Sequence, residues 1–357
     1  MANAAKTSLE WSHDRETGNP QGDGSAGRVA DGAFGNDRDS ADAAQPMAGQ
    51  VESPGSERRD DRQVLQGAQD QDDLAGNKGE VKPAPGVYPD MSSDDYHAVR
   101  AVSSTALKAF ILKCPSRARA VIEGRAKEET ASMKLGTAVH TAVLEPDAFE
   151  SIYRIGPEIN KNTKEWKAFA AECGIDGVTP LKPSENETII GMRESLWNDP
   201  GVSKILRACE SRELSIFWID PETGLYCKVR LDIYGKRVAA LLDLKTTVSA
   251  YVEDFARTSF NQGYHIQIPW YTRGARAAGL DVKMSGILAV ETVPDYTPCI
   301  FQIPPATFAL GATEIQKALP RLAECFATGN WPGYMKDGRP VDLNAPQWAF
   351  EQEDFDE

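Results

Sequence analysis

Between Tyr226 and Thr247 the hydrophobic positions gather into two runs divided by a short polar turn. Both runs are rich in Leu, Ile, Val and Tyr, which predicts two β-strands joined at Gly235-Lys236. The second, Val238–Leu242, carries no polar residue and reads as a buried core strand ending in Asp243, Leu244 and Lys245. Residues two apart share a strand face, so Asp243 and Lys245 project together while Leu244 turns to the core. Asp232, near the end of the first strand, can approach from next door. Two carboxylates and an ammonium at the rim of an apolar sheet are costly unless they bind a cation or do chemistry. The plain alternative is a strand-end salt bridge.

The remaining pattern predicts helices around these strands. Ser103 or Ser104 reads as an N-cap, and Leu107, Phe110 and Ile111 form an apolar face that stops before Pro115. A second helix is expected over Ser132–Leu144, with Gly136 and His140 one turn apart and small residues at 136–138 allowing close packing on a sheet. Residues 150–200 read as helical and polar, anchored by Trp166, Phe169, Met192, Leu196 and Trp197. A strand from Glu213 precedes the turn Pro221–Gly224, and helices are expected at Ala250–Arg257 and Tyr264–Gly279. Pro269 must bend the latter or lie in its first turn. Strands at Ser285–Glu291 and Cys299–Ile303 and a helix over 305–327 close the order, which suits one α/β domain with a mixed sheet.

Composition changes this picture at the two ends. Residues 1–82 hold few aliphatics and no sustained period, so they are expected to form a disordered acidic leader. The folded domain is expected over 83–335, followed by an acidic tail over 336–357. Of the formal charge of −14 over 357 residues, about 16 acids against about 8 bases fall in residues 1–80. The body is therefore near neutral, which argues against a broadly basic nucleic-acid surface but leaves room for a local basic channel. No apolar run is long enough to cross a bilayer, and Met1–Lys6 lacks the opening of a signal peptide. Cys114, Cys173, Cys209, Cys227, Cys299 and Cys325 form no Cys-x-x-Cys pair and read as reduced thiols, so a cytoplasmic protein with no membrane partner is expected.

Taken in order, Gly136-x-x-x-His140, Glu213, Asp232, Asp243-Leu244-Lys245-Thr246 and Gln267-x-x-x-Tyr271 resemble the PD-(D/E)xK nuclease superfamily in its RecB-like branch. The surroundings of His140, the stretch Glu222–Asp232 and Tyr264–Gln267 are similar to RecE-like nuclease domains of the exodeoxyribonuclease VIII type. Each motif alone is weak; five in order are specific. The resemblance implies a PD-(D/E)xK fold, a mixed central sheet flanked by helices. It also implies a metal-dependent exodeoxyribonuclease that degrades linear double-stranded DNA from 5′ ends. Such enzymes act as homo-oligomeric rings and hand the 3′ single strand to an annealing recombinase of phage-type recombination.

The same resemblance assigns roles. His140, Asp232, Asp243 and the carbonyl of Leu244 are the implied metal ligands; Lys245, Asp243, Asp232 and Glu213 are the catalytic residues. Gln267 and Tyr271 are the implied DNA contacts; Arg230, two residues before Asp232 and on its strand face, could reach a phosphate. Phosphodiester hydrolysis needs an activated water, charge relief on the phosphate and stabilisation of the departing 3′ oxygen, which two divalent ions about 4 Å apart supply. Mg²⁺ suits the oxygen ligands, and the imidazole allows Mn²⁺ to substitute. Lys245 would hold or deprotonate the attacking water, its pKa lowered by burial and metal.

Plainer readings stand beside these roles. Glu213 could form a solvated ion pair with Arg212, Arg230 a surface salt bridge, and Tyr271 ordinary core packing; His265 reads as structural. Iron–sulfur nucleases of the superfamily share the Cys114-Pro115 context, but only Cys299 and Cys325 follow Tyr271, so no iron–sulfur cluster is expected. The alternative functions are a degenerate nuclease fold used as a DNA-binding or assembly module, and an endonuclease of the same superfamily. Intact Asp232, Asp243 and Lys245 favour an enzyme.

Overall fold

A run of capped helices precedes the long strands. In this computed structural model, residues 82–126, 130–335 and 338–345 are described. Strand β1 (Gly86–Tyr88) leads into α1 (Ser93–Ala98), α2 (Ser104–Leu112), α3 (Pro115–Ile122) and α4 (Ala131–Leu144). Ser103 and Thr130 cap α2 and α4 by accepting from Ala106 N and Met133 N. Next come α5 (Pro146–Ile152), β2 (Tyr153–Ile155), α6 (Lys164–Ile175), β3 (Thr179–Leu181), α7 (Pro183–Asn198) and α8 (Pro200–Ala208). The chain then forms β4 (Ser211–Ile219), β5 (Tyr226–Gly235) and β6 (Ala240–Thr247). It closes with α9 (Val252–Asn261), α10 (Tyr264–Ala277), β7 (Met284–Glu291), β8 (Pro298–Gln302) and α11 (Pro305–Thr328).

The central sheet is mixed, with strand order β1-β4-β5-β6-β7-β8. Only β6 and β7 pair in parallel; the other neighbours are antiparallel. A parallel pair needs a long crossover, and α9 and α10 supply it. One core joins Leu231 and Leu241 to Leu107 of α2, Ile266 and Trp270 of α10 and Leu319 of α11. A second joins Leu242, Leu244 and Leu288 to Val139 of α4, Met192 of α7 and Leu206 of α8. Helices thus flank the sheet on both faces, the α/β architecture expected. Among the described residues no helix is long and apolar enough to cross a membrane.

Several local expectations change. Strand β6 starts at Ala240 and runs to Thr247, so Asp243 sits inside it rather than at its end. Pairing with β7 continues from Ala240↔Met284 to Thr247↔Glu291, which keeps the strand extended past its apolar run. The turn before it spans 236–239, with Ala239 at φ +48°. The stretch 150–200 holds two short strands, β2 and β3, paired in parallel between its helices. Pro115 ends one helix and opens α3, because proline tolerates the first helical turn.

Pro269 lies inside α10 rather than in its first turn. Its missing N–H frees the carbonyl of His265 four residues back. Gly311 of α11 packs against that carbonyl so closely that an added Cβ would lie 1.6 Å from it. The freed acceptor becomes a close helix–helix contact that only glycine allows. The expected leader, apart from Lys82, and residues 336, 337 and 346–357 of the expected tail lie outside the described residues.

Candidate active site

Helix α4 and strands β4 and β5 bring three donor groups together. His140 Nδ1 lies 3.7 Å from Glu213 Oε1 and 3.7 Å from Asp232 Oδ2. One ligand atom from each of the three lies within 4.8 Å of the others. The β4–β5 register explains two members: Arg212↔Ile233 and Leu214↔Leu231 set Glu213 opposite Asp232. The β5–β6 ladder ends at Ile233↔Leu242, leaving the next amides of β6 without a backbone acceptor on β5. The Leu244 N–H fills that gap by donating to Asp232 Oδ2 at 2.8 Å. A strand splay thereby aims a carboxylate.

Glu213 sits at φ +48°, a left-handed backbone inside a strand. Such a conformation costs about 1–3 kcal/mol and persists where surroundings impose it. Arg230 is part of that surrounding. Its Nε donates to Glu213 Oε2 at 2.6 Å, and its Nη1 donates to Ser215 Oγ and Met91 O at 2.8 Å each. The guanidinium also lies 5.9 Å from the centre of the Tyr96 ring.

A second half of the site is built on β6, α10 and α2. Asp243, 1% exposed, accepts from Gln267 Nε2 at 2.8 Å and is ion-paired with Lys245. Gln267 Nε2 also donates to Tyr271 Oη at 3.0 Å, while Gln267 Oε1 accepts from Lys108 Nζ at 2.8 Å. Lys108 and Lys245 stand 5.6 and 5.4 Å from the centre of one ring, Tyr264. Lys245 Nζ further donates to Leu244 O at 3.1 Å, and that carbonyl lies 2.8 Å from His140 Nε2. Leu244 is the hinge between the halves.

Proton affinities follow from this crowding. Burial and the Asp243 charge push the Asp232 carboxyl up to about 7, against the pull of His140 and Lys245. Burial alone would lower the His140 imidazole, but Asp232 and Glu213 outweigh it and hold the ring above its usual value. Burial acts to raise Glu213, yet His140 and Arg230 bring it below the usual carboxylate range. Lys245 corrects the expectation of a lowered pKa: burial favours the neutral amine, but Asp243 and Asp232 win and raise it. The amine is an ammonium, not a ready base. Lys108 is lowered to about 8 by burial and by Lys245, against the pull of Asp243.

The donor set fits a divalent cation. Two carboxylates converge on one imidazole nitrogen, and the other nitrogen has a carbonyl to hold it. A metal-ligating histidine commonly donates its second N–H to such an acceptor. In this arrangement the Leu244 carbonyl supports His140 and Lys245, a different position from that of the direct ligand expected.

All the expected site residues other than Asp243, Gln267, Tyr271 and Arg230 therefore meet around His140 and Leu244, and these four stand beside them in bonded layers. The three expected DNA contacts are turned inward. Arg230 is 8% exposed and Gln267 is 5% exposed, each bonded to neighbours inside the protein. The ion pair expected between Glu213 and Arg212 gives way to Glu213–Arg230, while Arg212 donates to the carbonyls of Leu206 and Cys209. His265 is structural, stacked on Phe260 and 3.2 Å from Glu314. Lys108, Ser215 and Tyr96 were not anticipated. Only Lys108 carried a signal, standing four residues after Ser104 on one face of α2.

Comparison with solved structures supports the fold. The chain resembles a protein from Eubacterium rectale described as a candidate exonuclease, with TM-score 0.50 and 14% identity, covering 74% of this chain and 98% of that one. The alkaline exonuclease of Laribacter hongkongensis overlaps more loosely, with TM-score 0.29, 15% identity and coverage of 66% and 95%. None of the curated proteins matches the chain. Residues 103–338, which carry the sheet from β4 onward and every donor of the site, match DUF3799, described as a PDDEXK-like domain of unknown function, and the chain belongs to that family.

Proposed function

We propose that the protein is a divalent-metal-dependent deoxyribonuclease that hydrolyses phosphodiester bonds of linear duplex DNA from its ends. One observation carries the reading: His140, Glu213 and Asp232 offer three ligand atoms within 4.8 Å of one another, beside a buried Asp243–Lys245 pair. The fold likeness to an exonuclease description supports the choice of chemistry. A bound divalent cation supplies Lewis-acid charge at the phosphate and makes water a better nucleophile near neutral pH.

The chain's own groups do the rest. His140 Nδ1, Glu213, Asp232 and Asp243 would hold Mg²⁺, and the imidazole would let Mn²⁺ substitute. Lys245, kept charged by Asp243 and Asp232, orients the attacking water and offsets charge growing on the phosphate. Gln267 fixes Asp243 Oδ1, which leaves Oδ2 for Lys245 and the reaction side. Arg230 fixes Glu213, so its role in DNA hydrolysis is to place a ligand rather than to touch a phosphate. The Gln267 and Tyr271 hydroxyl–amide pair acts in the same indirect way.

The test is digestion of linear duplex labelled at either the 5′ or the 3′ end, with Mg²⁺, Mn²⁺ or EDTA, beside a covalently closed circle. Mg²⁺-dependent release of 5′-terminal nucleotides, with the circle spared, is the expected result. Rapid cutting of the circle would replace the exonuclease reading with an endonuclease, and no hydrolysis with any cation would leave a DNA-binding module. The ring assembly and the annealing partner implied by resemblance belong to the same proposal; sedimentation of the purified chain reads the first.

A further inference from the structure

We propose that the groove between the end of α2 and the flank of α11 binds the sugar–phosphate backbone of the nucleic acid strand that leads to the metal site. This deepens the nuclease reading and rests on it. The groove has a volume of about 390 Å³ and is lined by Phe110, Lys113, Glu314, Lys317, Arg321 and Tyr334. Its charge is unbalanced. Lys113, Lys317 and Arg321 form no ion pair with a carboxylate among the described residues, and the one acid, Glu314, faces His265. Arg321 lies 5.6 Å from the centre of the Phe110 ring, and Tyr334 is 63% exposed. Uncompensated cations beside an open aromatic ring suit a strand whose phosphates need neutralising and whose bases can stack.

A second groove gives the contrast. It is larger, about 730 Å³, and also holds two lysines. There each lysine has its acid: Lys161 pairs with Glu185 at 2.5 Å and Lys182 with Glu158 at 3.5 Å. That surface is neutral and offers a polyanion nothing. In a chain of net charge −14, three unpaired cations in one groove form the local basic channel that a polyanionic substrate requires.

The groove also shares its helices with the site. Helix α2 presents Lys108 to Gln267, and Lys113 follows five residues later. Helix α11 makes the same link, since Glu314 meets His265 two residues before Gln267.

The experiment measures binding without turnover. Anisotropy of labelled single-stranded and duplex oligonucleotides is read in EDTA across a salt series. The combined Lys113→Gln, Lys317→Gln and Arg321→Gln variant should bind about ten- to a hundredfold more weakly near 0.1 M salt. Its slope of log affinity against log salt should flatten by about two, at roughly 0.7–0.9 per phosphate contact. Tyr334→Ala should weaken single-strand binding about tenfold with the slope unchanged. Lys161→Gln with Lys182→Gln should change neither quantity. If the triple variant unfolds, Lys113→Gln with Lys317→Gln, both on exposed side chains, should still flatten the slope by about 1.5. Unchanged affinity and slope, or equal losses in the two grooves, would overturn the assignment. Failure of the unaltered chain to cleave DNA would overturn the nuclease reading instead, because this binding is read without cleavage.

Discussion

The two halves of the site are built from similar residues and differ in how their charges are matched. Around His140, two carboxylates face one imidazole at 3.7 Å, and neither distance is a hydrogen bond. Around Asp243, both oxygens are engaged, by Gln267 and by Lys245, and Lys108 occupies the far side of the Gln267 amide. In the first half the carboxylates are held from outside, by Arg230 and by the Leu244 amide, but make no hydrogen bond to the ring; in the second, Asp243 is bound directly by Gln267 and paired with Lys245. Carboxylates held at that distance from the ring are the arrangement that a cation improves most, while a directly bonded network keeps its geometry through a reaction. The difference separates a place to receive an ion from a frame that orients groups around it.

Breaking the frame at its charged centre should have the largest effect. Lys245→Ala or Asp243→Ala should lower DNA hydrolysis about a thousandfold or more; each leaves its partner buried and unpaired, so the melting temperature should fall as well, and turnover is compared on the folded fraction. Near-normal turnover by either folded variant would remove Asp243 and Lys245 from the chemistry. Asp232→Ala should act on the other half, abolishing both turnover and calorimetrically measured Mn²⁺ binding. A variant that loses turnover but binds Mn²⁺ normally would show that the ion is held elsewhere.

Arg230→Gln should give a smaller and more selective loss. It leaves Glu213 in a left-handed backbone without its guanidinium, so divalent-ion affinity should fall about ten- to a hundredfold. Excess metal should restore most of kcat, whereas a phosphate contact would raise KM for DNA at every metal concentration. Lys108→Met should be milder again, lowering kcat about tenfold while metal affinity holds, because Lys108 hydrogen-bonds Gln267 and not Asp243 itself. Lys108→Arg should recover part of the loss.

The comparison also has a pH signature. Metal binding needs His140 neutral and Asp232 ionised. Both hold their protons more tightly than usual, Asp232 to about 7, so protons compete with the cation below neutrality. Divalent-ion affinity should therefore rise from pH 6 to pH 8 and level off above it. Asp232→Glu should retain a pH dependence, while a flat profile in the unaltered protein would show that the donors are already free of protons.

Much of this molecule was legible along the chain. The apolar runs of β5 and β6 announce core strands, and the Asp-x-Lys that follows one of them marks the place where charge enters the sheet. The cap at Ser103 or Ser104 places the start of α2 within one residue, and its apolar face marks the side that packs. What could not be read was which polar groups touch. Arg230 stands two residues before Asp232 and shares its face in a regular strand, which suggested a substrate contact. Its partner is chosen by β4, whose register sets Glu213 across the strand pair. Lys108 looks like any helix-surface lysine until α10 brings Gln267 against it.

Local rules are short-ranged, and that sets the division. Period, caps and turn residues act over a few neighbours, so the sequence alone determined the strands, most of the helices and the residue types of the site. The pKa of Lys245 shows the other side. Burial acting alone lowers it, and only the tertiary approach of Asp243 and Asp232 reverses the sign. Pairing in charge, the end of the β5–β6 ladder and the close passage of Gly311 over His265 depend on residues far apart in the chain. Those were decided by packing, because the energy of a buried charge depends on what surrounds it and not on what precedes it.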